Sequence, residues 1–282
     1  VLMVAPVYLP LHIQMGEMLI AEGFISEAVE KFLVVSNLYN LRGETGQAIR
    51  LLNRVTKLAP MDLSIRSNLI ELLQSIGRVD DAIQQYMDLA NVYYLLAEMD
   101  ITRQTYQSAL TLAQKSSSIR EWSIKILNKL ADIELQSLDW KQAIKHFEQI
   151  RSLDSLDPAP RAMLIDLYLR ISLPAAAMNE LDGYLKILAT SNTPSRAATF
   201  LDELLKERPD NIEIQKRMVA YYTAKNELPY AIEKLDSLAE RSLAEENTPA
   251  AIATLEHIIS LQPANVADYQ RLCNELKMKS AK

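Results

Sequence analysis

Glycine and proline are scarce: six and eleven in 282 residues. So few chain-reversing positions exclude a turn-rich all-β fold, a collagen-like chain and a low-complexity segment. A single cysteine, Cys273, excludes a disulfide framework and any multi-cysteine metal centre. No apolar run approaches the roughly 20 residues that span a bilayer, so no membrane insertion is expected. Excess positive charge is also missing. The formal net charge is −6, the opposite of the basic footprint that nucleic acid requires, and no nucleic-acid partner is expected. The chain starts at Val1, and no basic stretch precedes the apolar residues of Val1–Leu11. It therefore reads as a piece of a longer chain without a visible secretory signal, and a cytoplasmic setting is the working assignment. What is abundant is apolar content, 49% against 23% charged, enough for a sizeable core.

That apolar content is organised. A small residue is followed four positions later by a bulky apolar one and three later by another, which places all three on one helical face. The pattern recurs as Ala28/Phe32/Val35, Ala48/Leu52/Val55, Ala82/Tyr86/Leu89, Thr102/Tyr106/Ala109, Ser123/Leu127/Leu130, Ala143/Phe147/Ile150, Ala177/Leu181/Tyr184, Ala197/Leu201/Leu204, Ala231/Leu235/Leu238 and Ala251/Leu255/Ile258. At this composition, chance would make every larger position apolar roughly once in a million. The small residue admits a neighbouring helix and the larger two fill the gap. Successive anchors alternate a short step, as from Ala28 to Ala48, with a longer one, as from Ala48 to Ala82. The step from Thr102 to Ser123 breaks the alternation by being short as well. Paired, the anchors define 54-residue units of three helices, and the third unit is short by about one helix. That loss is expected between Gln114 and Trp122. Gly77 and Asp100 should break the helices of the second unit. Pro174, Pro194, Pro229 and Pro249 fit first helical turns, with Thr193 and Thr248 as N-caps, and Pro60, Pro209 and Pro263 fit helix ends. About fifteen helices and no strands are expected.

This arrangement resembles the tetratricopeptide repeat family, on the strength of Gly16, Leu19, Gly23, Ala28 and Phe32 in the first repeat. Ile70/Leu73/Gly77/Ala82/Tyr86 and Ala131/Trp140/Ala143/Phe147 repeat the theme. The tryptophan usual in that family's first helix is replaced by His12, Arg66, Leu127, Arg161 and Gln215. The short steps require one long helix to close a repeat and open the next. The resemblance implies an all-α, right-handed α-solenoid of antiparallel helices. One continuous solenoid is expected, with N-terminal helical repeats over 1–114, C-terminal repeats over 119–282 and a seam at 115–118.

Nothing points to catalysis or a cofactor. His12, His146 and His257 lie on different units, Cys273 is flanked by apolar residues, and Gly43-Glu44-Thr45-Gly46 lacks the lysine and hydroxyl of a phosphate loop. The function expected is a non-catalytic protein-interaction scaffold that holds a peptide or helix on the concave surface. The alternative is a regulatory or spacer arm of a larger protein whose catalytic or DNA-binding domain lies outside this chain. The resemblance places Glu17, Asn68, Glu71, Asp166, Lys216 and Arg217 on the inner face, too dispersed for the family's carboxylate clamp. Glu17, Glu71 and Asp166 share one register and suggest a basic partner. Tyr94 and Tyr221, the second members of tyrosine pairs, face away from the tyrosine core stripe and are further partner candidates.

Overall fold

The computed structural model of the protein describes residues 8–191 and 194–280. Among them are fifteen α-helices and no strand. The chain divides into two compact units, Val1–Leu153 and Asp154–Lys282. The first carries α1 (Leu9–Ala21), α2 (Ile25–Leu41), α3 (Thr45–Leu58), α4 (Leu63–Ser75), α5 (Val79–Leu95), α6 (Met99–Ala113), α7 (Ile119–Gln136) and α8 (Trp140–Leu153). The second carries α9 (Pro158–Arg170), α10 (Pro174–Thr190), α11 (Pro194–Glu207), α12 (Ile212–Ala224), α13 (Leu228–Ala244), α14 (Thr248–Ser260) and α15 (Val266–Ser280). Within each unit every helix packs on the next. That is how a chain of amphipathic helices buries one apolar face after another without long-range pairing.

The three-helix periodicity holds, with a 17-residue helix in the middle of each full set (α2, α5, α10 and α13). The small anchors are buried throughout; Ala28, Ala48 and Ala143 are wholly inaccessible to solvent. The short set holds two helices, α7 and α8. Where the loss was expected, residues 114–118 join α6 directly to an 18-residue α7. The α6–α7 joint is tied down: Ser116 Oγ donates to Asp80, Trp122 Nε1 donates to the same carboxylate at 2.9 Å, and Arg103 pairs with Glu134 at 2.9 Å.

Helix starts follow side-chain chemistry. Asp62, Asp157 and Asn211 accept backbone N–H bonds at the N-termini of α4, α9 and α12. Thr248 is not the cap of α14: Asn247 is, accepting from the Ala250 N–H at 3.3 Å, which leaves Thr248 and Pro249 in the first turn. The cap expected at Thr193 lies outside the described residues.

Most of the helix-to-helix turns place a residue in the left-handed region. Gly77, an expected break, does so, as does Gly23, but the same turn position holds Leu138 (φ 58°), Ser172 (φ 60°) and Asn226 (φ 60°) farther along. After α5 the turn residue is Ala97 (φ 60°), so Asp100 falls inside the first turn of α6 rather than at the break. A residue with a Cβ in this conformation costs about 1–2 kcal/mol. Leu138 is 67% exposed, so its side chain contributes little there. Glycine gives back about 0.5–1 kcal/mol through its looser unfolded chain. Leu138→Gly should therefore raise the unfolding free energy by about 0.5–1 kcal/mol, read as a higher urea midpoint. A lower midpoint would mean that the leucine side chain supports the turn.

Candidate functional site

The positions where the family's tryptophan is replaced build a polar joint. Arg66 Nε and Nη2 donate to the Pro60 carbonyl at 3.2 and 3.1 Å, Arg161 Nη2 to the Ser155 carbonyl at 3.3 Å, and Gln215 Nε2 to the Pro209 carbonyl at 2.7 Å. In all three, a long side chain on the first helix of a set reaches back to the loop that precedes the helix. Leu127 keeps an apolar side chain at this register and is buried. Gln215, wholly buried, also donates to Thr254 Oγ1, and its Oε1 lies 3.0 Å from His257 Nδ1. With the amide oriented by those two donations, His257 carries its proton on Nδ1. Burial holds the His257 pKa below its ordinary value.

The residues expected on the inner face fall into two groups. Glu17 is paired with Arg54 at 2.6 Å. Asp166 is clasped by Arg170 at 2.5 Å and by Arg208. Burial pushes its pKa up, but the two guanidiniums outweigh that and leave it below the usual carboxylate range. Lys216 pairs with Glu213 at 2.8 Å, and Arg217 binds both oxygens of Asp182 at 2.8 and 3.0 Å as well as Glu213. Tyr221 stacks edge-on against Tyr222 with Lys225 4.4 Å over its ring. These side chains are engaged within the chain.

Asn68 and Glu71 are different. They line a groove of about 280 Å³ between α2, α3 and α4, together with Asn37, Asn40 and Leu52. None of Asn37, Asn68 and Glu71 has a hydrogen-bond or ion-pair partner among the described residues. A second groove of about 250 Å³ lies between α5, α6 and α7, lined by Asn91, Tyr94, Tyr106, Lys129, Asp132 and Gln136. The two are the same site repeated. Asn37, Asn40 and Leu52 recur one full unit later as Asn91, Tyr94 and Tyr106. Asn68 and Glu71 recur at a slightly longer interval as Lys129 and Asp132.

Tyr94 thus lines the repeated groove, its hydroxyl donating to Gln136 Oε1 at 2.5 Å. Asp132 completes the acidic register begun by Glu17 and Glu71, and sequence reasoning missed it. The shortened step between the anchors Ala82 and Ser123 hides it, yet Asp132 precedes Asp166 by the same interval that separates Leu127 from Arg161.

The remaining candidates for chemistry do not converge. Cys273 is buried, at 3% exposure. The His146 Nδ1 atom is buried without a hydrogen-bond partner, and burial lowers that ring's pKa. Among the described residues no group of three or more His, Cys, Asp or Glu side chains could hold a metal ion. No helix among them is long and apolar enough to cross a membrane.

No protein-family model and no curated protein matches the chain. Solved structures do. The MamA protein aligns over 59% of this chain and 95% of its own, with 16% identity and a TM-score of 0.33. PilF of Pseudomonas aeruginosa aligns over 89% and 99%, with 18% identity and a TM-score of 0.33. A tetratricopeptide repeat protein from Parabacteroides merdae aligns over 87% and 98%, with 12% identity and a TM-score of 0.26. By its own helix order, three-helix period and neighbour-on-neighbour packing, this chain is an all-α, tetratricopeptide-like helical repeat protein.

Proposed function

We propose that the chain is a non-catalytic protein-interaction scaffold that holds a peptide along the repeated grooves of its first unit. The observation that carries this reading is the contrast between the two groups of inner-face residues. Glu17, Asp166 and Arg217 are satisfied by partners in the chain, whereas Asn37, Asn68 and Glu71 are gathered in a groove with their polar atoms unused. Amide side chains offer a donor and an acceptor together, as a peptide backbone does. The unpaired carboxylate favours a basic partner and makes the association salt-sensitive.

A peptide array probed with wild type, Asn68→Ala and Glu71→Lys tests it. Basic peptides captured by wild type should weaken about tenfold with Glu71→Lys, the scale of one lost charged hydrogen bond and an added repulsion. An unchanged capture profile in a folded Glu71→Lys protein removes this groove from any binding role. Asp166→Lys is a poor probe of binding, because it breaks the pairs with Arg170 and Arg208 and reads stability instead.

A further inference from the structure

The groove between α5, α6 and α7 differs from its α2–α4 counterpart at its floor, where Leu52 is replaced by Tyr106. The Tyr106 side chain is 2% exposed, and its hydroxyl has no hydrogen-bond partner among the described residues. The hydroxyl lines the groove, where an incoming group can make the bond that no protein side chain makes; phenylalanine would fill the same space and offer no such bond. Asp132, at the rim of the same groove, has no cationic partner either.

We propose that this groove is a subsite for an arginine side chain of a partner polypeptide, with the guanidinium held by Asp132 and the Tyr106 hydroxyl. The inference rests on the scaffold reading above and names the side chain that this groove selects. The acceptors fit a planar, donor-only group. Asp132 takes two parallel N–H bonds, the Tyr106 oxygen takes a third, and the face of Tyr94 is available for stacking. Gln136 is occupied on its oxygen by Tyr94 and adds no strong competitor. The field agrees with the geometry. Burial first, then the negative charges of Asp132 and Asp88, push the Tyr106 hydroxyl pKa up to about 12. Lys129 also lines the groove. It opposes a cation at the rim and makes the subsite weaker than it would be with a neutral side chain there.

The probe is Nα-acetyl-arginine amide, titrated into the intact chain carrying ¹³C-labelled tyrosine, with Nα-acetyl-citrulline amide as its uncharged twin. Expected are a saturable shift of the Tyr106 ring resonances with the arginine probe, and a response about tenfold weaker with citrulline. Asp132→Asn should weaken the arginine probe about tenfold. Tyr106→Phe, which keeps the packing, should weaken it roughly threefold as read at Tyr94. Lys129→Gln should tighten it about twofold. Equal response to arginine and citrulline, or an unchanged affinity in folded Asp132→Asn, overturns the proposal. The array experiment reads Glu71 in the other groove. Peptides lost with Glu71→Lys beside an inert Tyr106 groove would therefore sink the arginine subsite and leave the scaffold standing.

Discussion

Replacing Glu180 by alanine is expected to cost about 3–5 kcal/mol. Arg161 on α9 and Glu180 on α10 form a pair at 2.5 Å with side chains only 7% and 6% exposed. Two charges removed from water are tolerable only because each neutralises the other and further contacts hold the geometry. Arg161 lies 5.3 Å over the ring of Tyr184, and the Tyr184 hydroxyl donates to the Leu156 carbonyl at 3.0 Å. Deleting the carboxylate strands a cation whose Nε already lacks a partner. Arg161→Ala removes the guanidinium from a buried carboxylate and should also destabilise. The double replacement Arg161→Met with Glu180→Leu removes both charges at similar volume and should return to within about 1 kcal/mol of wild type. Urea unfolding of the four proteins closes the cycle. Single variants that lose less than about 1 kcal/mol would show that water reaches the pair.

A second large effect is expected where α1 crosses α2. Phe32 is wholly buried, and Phe32→Ala should cost about 3–5 kcal/mol through lost burial and the cavity left behind. Its ring lies so close to Gly16 that a Cβ there would meet two ring carbons at 2.6 Å. Gly16→Ala alone should therefore destabilise. Overpacking costs about 1–3 kcal/mol, which outweighs the roughly 1 kcal/mol that alanine gains over glycine inside a helix. With Phe32→Ala already made, the clash is gone and the same Gly16→Ala change should stabilise by about 1 kcal/mol. The sign reversal, read from urea midpoints of the double-mutant cycle, is the test. Destabilisation by Gly16→Ala in both backgrounds would mean that the glycine serves the backbone rather than the ring.

The helices were legible in the sequence because a helical repeat writes its packing locally. Ala28, Phe32 and Val35 fall on one helical face, and all three are buried together. The turns were legible only where glycine marked them. Gly23 and Gly77 announce the left-handed residue, whereas Leu138 and Ser172 adopt it because the two helices they join are fixed by their own packing. The α2–α4 groove was half visible, through Asn68 and Glu71. Its repeat was not, because the set after α6 holds only two helices and the shortened anchor spacing hides the recurrence of Asn68 and Glu71 as Lys129 and Asp132. Tyr106 was read as a core residue, which by burial it is. Its unpaired oxygen is a property of three-dimensional neighbours that no spacing encodes. Nor could sequence show that Glu17 and Asp166 spend their charge on Arg54 and Arg208, since those partners come from outside their own helices.

The reach-back bonds of Arg66, Arg161 and Gln215 have a consequence for how unfolding spreads. In a repeat protein, stability divides into what each helix set contributes alone and what each junction adds. A side chain that belongs to one helix yet binds the loop before it, and also a residue of a later helix, places part of its energy in the junction. Arg66 reaches Gln85, Arg161 reaches Glu180, and Gln215 reaches Thr254. When one set frays within a unit, the next set of that unit loses a partner for a buried polar group and follows more readily. Such junctions turn a row of separately melting segments into longer cooperative blocks, whose amide protons exchange together rather than helix by helix.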